Sequence, residues 1–155
     1  MGITREDLNG LFISATMKPM PGGEIRCRLK PDPALDMQVK AVHVTKAVAL
    51  TWQGQLHRHQ LQTETYAVTK GLIALVSWLK EGSVTHQVIG EGESVTFLPG
   101  TWHDVFTTPG AEFVTIQTAD LGIDVEHDRE VLKDIPADVR DHMTSVEIMV
   151  PKMVT

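Results

Sequence analysis

The sequence predicts an all-β protein in which short antiparallel strands form a sandwich or a barrel. Apolar and polar residues alternate from residue 24 to residue 30, as in a strand with one buried face. Between residues 39 and 118, short segments rich in Val, Ile and Thr are separated by turns that contain Gly or Pro. Many short strands with turns every several residues favour an antiparallel sandwich or barrel over alternating β and α units.

The individual elements follow from their own patterns. We expect one short helix in the first twenty residues, because Thr4 can cap it and its apolar residues, Ile3, Leu8, Leu11 and Phe12, are spaced to pack on one side. The strand at 24–30 ends at Pro31. Later strands are predicted at residues 39–52, 56–59, 64–69, 72–79, 84–89, 94–98, 103–108 and 112–118.

The pattern changes after Asp120. Short helices are expected at 128–134 and 137–143, on either side of Pro136, followed by a final strand at 146–150. This tail is expected to pack outside the sheets.

Composition describes an ordinary globular domain. A chain of 155 residues is the size of one domain, so we expect a single domain over 1–155 with its core at about 36–118. A net charge of −6 and 42% apolar residues argue against binding to nucleic acid or to a membrane surface. A single cysteine, Cys27, and the lack of an apolar leader in residues 1–9 favour a cytoplasmic location.

Four residues are of the types that bind a divalent transition metal: His57, His59, Glu64 and His103. Three imidazoles and one carboxylate suit Mn, Fe, Ni, Cu or Zn better than Ca or Mg. Alternate residues of a strand share one face, so His57 and His59 point the same way. Glu64 has the opposite parity, which predicts a bulge or turn within residues 60–63.

These residues belong to two groups that resemble the motifs of the cupin family. The first group is His57, His59, Glu64 and Gly71. The second group is Gly92, Pro99, Gly100 and His103. The resemblance covers more than a third of the chain, residues 51–107, and implies a jelly-roll β-barrel that holds one metal ion. The alternative, that these are surface or structural residues, would require all four to fall into both spacings by accident.

The sequence departs from the usual motifs at three positions that are not ligands. Thr51 and Leu98 stand where the motifs usually have Gly and Pro, and Thr107 replaces a common Asn. These departures concern the loops rather than the ligands.

Within the family, the chain is similar to the phosphoglucose isomerases of the cupin type. The similar features are the run from His57 to Glu64 followed by Tyr66 and Gly71, and the later segment 118–124. This similarity implies metal-assisted proton transfer between C1 and C2 of a sugar phosphate through an enediol, and it implies a nearby general base.

Four residues are candidates for that catalytic role. Tyr66 has the parity of Glu64 and is expected to face the metal, where its phenol could act as an acid or simply pack. Glu64 could act only by leaving the metal, and His43 and Lys46 are further candidates. Lys46 is also the candidate for phosphate recognition, against the alternative of a solvated surface lysine.

Two other functions stay open at this point. The same ligands could support an iron-dependent dioxygenase, which would favour an apolar pocket, or a small-molecule binding module without turnover. For an isomerase or epimerase of sugars or sugar phosphates, the expected partner is a small-molecule substrate. The resemblance also implies a homodimer.

Overall fold

The computed structural model describes residues 12–19, 25–31 and 36–154, which form two antiparallel sheets and one helix. The first sheet has the order β1 (Phe12–Pro19), β2 (Ile25–Pro31), β3 (Val39–Lys46), β11 (Glu112–Thr118), β6 (Thr63–Lys70) and β9 (Ser94–Phe97). The second sheet has the order β12 (Arg129–Val131), β5 (His57–His59), β10 (Trp102–Thr107), β7 (Leu72–Trp78) and β8 (Val84–Gly90), and β4 (Thr51–Trp52) also pairs with β10. Helix α1 spans Ala137–Met153.

The chain passes repeatedly from one sheet to the other. β5, β7 and β10 lie in the second sheet, whereas β6, β9 and β11 lie in the first. Antiparallel strands that alternate between two packed sheets in this way form a jelly roll. The predicted fold class is therefore confirmed.

The main core lies between the two sheets. Tyr66 and Val68 of β6 are 3% exposed and point inward with Glu64, as their common parity predicted. They pack with residues from both sheets, among them Ile73, Leu75, Phe97, Val105 and Phe113.

Strands β7 and β10 are buried on both of their faces. Ile73 and Leu75 point into the main core, while Ala74 and Val76 lie in clusters that include residues of α1. This double burial explains why residues 72–78 read as a continuous apolar run rather than as an alternating strand.

Helix α1 packs on the outer face of the second sheet. Its buried residues, Val139, Met143, Val146 and Val150, recur every three or four positions and form one apolar stripe. The predicted strand at 146–150 is therefore wrong, because those residues continue the helix. No helix among the described residues is long and apolar enough to cross a membrane.

One further prediction is corrected in full and another at a single residue. Residues 129–131 form strand β12 rather than a helix, because they pair with β5, where Arg129 lies opposite His59. Phe12 begins β1, which pairs with β2, so this residue of the predicted N-terminal helix lies in a strand. The other residues of that predicted helix, Ile3, Thr4, Leu8 and Leu11, lie outside the described part of the chain.

Candidate metal centre

Two histidines of the centre come from β5 and one from β10. His57 and His103 are opposite each other in the register of these strands, and their ring centroids are 4.5 Å apart. His59 lies two residues beyond His57 on β5 and is 6% exposed. Strand pairing alone therefore assembles the three imidazoles on one sheet.

Glu64 reaches the same point from the other sheet. After His59 the chain bends and enters β6 at Thr63, so the turn predicted between His59 and Glu64 is present. Gly100, with φ of +88°, donates its N–H to the His59 carbonyl at 2.7 Å. This bond connects the loop of the second motif to the first motif, and glycine adopts the positive φ at little cost.

The four ligand-type atoms converge. One atom from each of His57, His59, Glu64 and His103 lies within 4.8 Å of the others. His103 Nε2 is 2.8 Å from Glu64 Oε1, and His59 Nε2 is 3.0 Å from Glu64 Oε2. The structure thus brings together all four predicted ligands.

The imidazole orientations fit a bound cation. His57 Nδ1 lies 2.9 Å from the Gln55 carbonyl and His103 Nδ1 lies 2.9 Å from the Thr101 carbonyl, so each ring can direct Nε2 inward as a lone pair. His59 Nε2 is buried and forms no hydrogen bond with any described residue, despite its distance from Glu64. A buried nitrogen that faces a carboxylate without a hydrogen bond, in a set of N and O donors, fits a divalent transition metal.

Burial and neighbouring charges shift the pKa values of two of the ligands, His57 and Glu64. Burial, followed by the charge of His103, lowers the pKa of His57 from 6.5 to about 3, which favours the neutral imidazole that a metal requires. Burial alone would raise the pKa of Glu64, but contacts from His103 and His59 outweigh it and hold that pKa well below its usual range. Both shifts favour the protonation states that bind a cation.

Glu64 is held by further donors behind the ligand set. The Tyr66 hydroxyl donates to Oε1 at 2.5 Å, and Gln117 Nε2 donates to Oε2 at 2.6 Å. Gln117 lies opposite Glu64 in the β6–β11 register. The carboxylate is therefore fixed in orientation by groups that sequence parity did not identify, apart from Tyr66.

Asp128 supports His59 in a comparable way. It is 4% exposed, and its Oδ2 lies 3.4 Å from His59 Nδ1. Gln62 Nε2 donates to the same oxygen at 3.0 Å. We had no sequence signal for this contact, because Asp128 follows the barrel strands and was predicted to begin a helix.

A cavity of about 650 Å³ opens beside the ligands. All of the described residues that line it, except Gly54 and Val125, carry a polar group, and apolar parts of these side chains also face the cavity. The residues that line it with His57, His59 and Glu64 are Arg28, His43, Gln53, Gly54, Gln55, Gln62, Tyr66, Asp104, Thr115, Gln117, Val125, Glu126 and Arg129.

The other predicted catalytic residues differ in their position. Tyr66 and the buried His43 line the cavity. Lys46 does not, because its side chain is 67% exposed and lies 3.9 Å from Glu112 in an ion pair. Asp104, Arg28 and Arg129 are cavity residues that the sequence analysis missed.

Two further histidines lie outside the centre. His86 on β8 and His142 on α1 contact each other, with their Nδ1 atoms 2.7 Å apart. They contribute to the contact between the helix and the sheet.

Solved structures share this architecture. Bacillus subtilis oxalate decarboxylase matches 89% of the chain with a TM-score of 0.63 and 17% sequence identity. Lactobacillus farciminis oxalate decarboxylase matches 88% with a TM-score of 0.61 and 19% identity. The chain spans 36% and 41% of the lengths of these two proteins. The Bacillus subtilis enzyme contains Mn(II) centers.

A smaller protein shows the same likeness. A domain of Drosophila melanogaster CENP-C matches 76% of the chain, and 85% of that domain is covered, with a TM-score of 0.56 and 10% identity. No protein-family model and no curated protein matches the sequence. At these identities the structural likeness establishes the fold alone, and the chain shares the two-sheet β fold of these proteins.

Proposed function

We propose that this protein binds one divalent transition metal ion and uses it to isomerise or epimerise a sugar or sugar phosphate. The observation that carries the proposal is the convergence of His57, His59, Glu64 and His103 beside a polar cavity. A bound ion supplies a Lewis acid that polarises a substrate oxygen and acidifies the neighbouring C–H bond. Mn²⁺ is the first ion to test, because the similarly folded Bacillus subtilis enzyme contains Mn(II) centers.

The cavity supports a hydrophilic and anionic substrate. Its amide and hydroxyl groups can replace the water around sugar hydroxyls, which an apolar pocket would not do. Arg28 and Arg129 lie in its wall, and guanidinium groups suit phosphate or carboxylate oxygens. These arginines take the role that the sequence analysis gave to Lys46.

His43 is the proton-transfer residue in this proposal. Both Glu64 oxygens already accept hydrogen bonds, and the Tyr66 hydroxyl is directed at Glu64. His43 is a buried imidazole in the cavity wall and is not one of the four ligands. An imidazole can remove a proton from one carbon and return it to the next near neutral pH.

An iron-dependent dioxygenase would use the same four ligands. A binding module without turnover would use the same ligands and the same cavity. The dioxygenase and the binding module therefore differ from the isomerase in the reaction that an assay detects and not in the arrangement of the site.

The test follows proton transfer directly. The protein is stripped of metal, reloaded with Mn²⁺, Fe²⁺, Ni²⁺ or Zn²⁺, and incubated in D₂O with sugars, sugar phosphates and keto acids. Loss of a substrate C–H signal by proton NMR, in the absence of oxygen, is the expected result. The variant His43→Gln should bind metal normally but lose this exchange.

Each alternative has its own signature in this assay. Oxygen consumption that accompanies turnover would replace the proposal with the dioxygenase. Tight binding of a substrate without exchange under any metal would replace it with the binding module.

A further inference from the structure

The segment 124–131, which follows the barrel strands, forms one wall of the metal centre. Its strand β12 pairs with β5, so Arg129 lies opposite His59 and Val131 lies opposite His57. Val125, Glu126 and Arg129 line the cavity. The segment thus contacts both the ligand strand and the space in which a substrate would bind.

Asp128 anchors this segment at its centre. Its Oδ1 accepts the N–H of Leu61 at 2.5 Å, and its Oδ2 accepts Gln62 Nε2 at 3.0 Å. Its backbone carbonyl accepts the N–H of Gln60 at 3.2 Å. These bonds fix the carboxylate against residues 60–62, in the bend between His59 and Glu64.

His59 differs from the other two imidazoles in what orients it. His57 and His103 each face a backbone carbonyl two residues earlier in the chain, which is supplied by the local strand. His59 Nδ1 instead lies 3.4 Å from both Asp128 Oδ2 and Gln62 Nε2, and Gln62 Nε2 itself donates to Asp128 Oδ2. Its orientation therefore depends on a side chain that arrives only when the later segment docks.

We propose that Asp128 is a positioning residue that keeps the proton of His59 on Nδ1 and directs the Nε2 lone pair to the metal. Docking of segment 124–131 and metal binding are then coupled. This inference rests on the metal site of the proposed function, but not on the identity of the reaction.

The coupling is reciprocal by thermodynamic necessity. If the docked segment raises metal affinity by some factor, bound metal raises the docking equilibrium of the segment by the same factor. Both quantities can be measured separately.

The first experiment measures metal affinity. In Asp128→Asn, an amide N–H can face His59 Nδ1, which places the ring proton on Nε2 and blocks the metal lone pair. Titration with Mn²⁺, followed by the EPR signal of the free ion, should show binding that is about 10- to 100-fold weaker.

Glu130→Gln is the matched control. Glu130 also joins β12 to β5, but it does so through partly exposed contacts with Arg58 at 2.8 Å and Gln60 at 3.0 Å. Its loss should change Mn²⁺ affinity by less than about twofold, because neither of these partners is one of the four ligands.

The second experiment needs no variant. Hydrogen exchange of the wild-type protein should slow in residues 124–131 when Mn²⁺ is added, and exchange in β8, which lies far along the same sheet, should not change. Asp128→Asn should lose most of this protection. This measurement tests the coupling even if Asp128→Asn folds poorly.

The outcomes separate this inference from the proposed function. Equal Mn²⁺ affinity in wild type and Asp128→Asn, or unchanged exchange in 124–131, would overturn the role of Asp128 and leave the metal site intact. Failure of the wild type to bind any tested metal would overturn both. Coupled metal binding without turnover would overturn only the isomerase.

Discussion

Replacing Tyr66 by Phe tests how Glu64 is held. The substitution removes one hydroxyl, which donates to Glu64 Oε1 at 2.5 Å, and it keeps the ring that packs against Phe97 and Phe113. Tyr66 is 3% exposed and Glu64 is 2% exposed, so water cannot readily replace the lost donor. The change therefore isolates one buried hydrogen bond to a carboxylate.

Hydrogen bonds to charged groups contribute about 1.5–3 kcal/mol. Glu64 keeps its contacts with Gln117 and His103, so we expect a loss of about 2 kcal/mol in the metal-free protein. For a chain of this size, that loss corresponds to a decrease in Tm of about 4–8 °C.

Urea denaturation of the metal-free protein measures this loss. Thr65→Val is the control, because the Thr65 hydroxyl lies on the opposite face of β6 and bonds the exposed Thr96 hydroxyl at 2.9 Å. We expect the control to change stability by less than about 0.5 kcal/mol. If Tyr66→Phe behaves like the control, the Tyr66 hydroxyl does not stabilise an ionised Glu64.

Three other predictions concern the metal-free protein and its assembly. The unfolding free energy should fall as pH drops below 6.5, because unfolded His57 takes up a proton while its folded pKa is about 3, and the slope should be about 1.4 kcal/mol per pH unit. Glu64, with its lowered pKa, adds a loss in the same direction below its ordinary pKa of 4.5. In urea titrations, His57→Gln should remove the His57 contribution to the slope from pH 6.5 down to about 3 and leave the Glu64 contribution. Val146→Ala should lower the free energy of unfolding by about 2 kcal/mol, because Val146 is fully buried. Ile148→Ala should lower it by less than about 0.5 kcal/mol, because Ile148 is 59% exposed. Equal losses for the two variants on thermal unfolding would contradict the helix. Light scattering should give twice the chain mass of 17.1 kDa if the expected homodimer forms, and a single chain mass would refute it.

The ligand set could be predicted because its residues lie within two short motifs. Alternation along β5 and β6 then determined which side chains face inward, and Tyr66 followed by parity. The supporting residues could not be predicted in this way. Gln117 reaches Glu64 through the register of β11 against β6, and Asp128 reaches His59 through the pairing of β12 with β5.

The C-terminal errors have a similar cause. Val146 and Val150 are β-branched, and local preference favours a strand for them. They become helical because the outer face of β7 and β10 offers an apolar surface that Val139 and Met143 alone do not cover. Tertiary packing decided this element, and its signal was the spacing of all four residues together.

The division of the ligands between the two sheets has a mechanical consequence. Three nitrogen donors belong to one sheet, and the single carboxylate belongs to the other. A cation bound there would link the two sheets beside the cavity. At a free concentration 100 times its Kd, it adds about 2.7 kcal/mol to the free energy of unfolding. When the ion is scarce, the contact between the two sheets at this site would weaken first. The resistance of the chain to proteases would then depend on the metal supply.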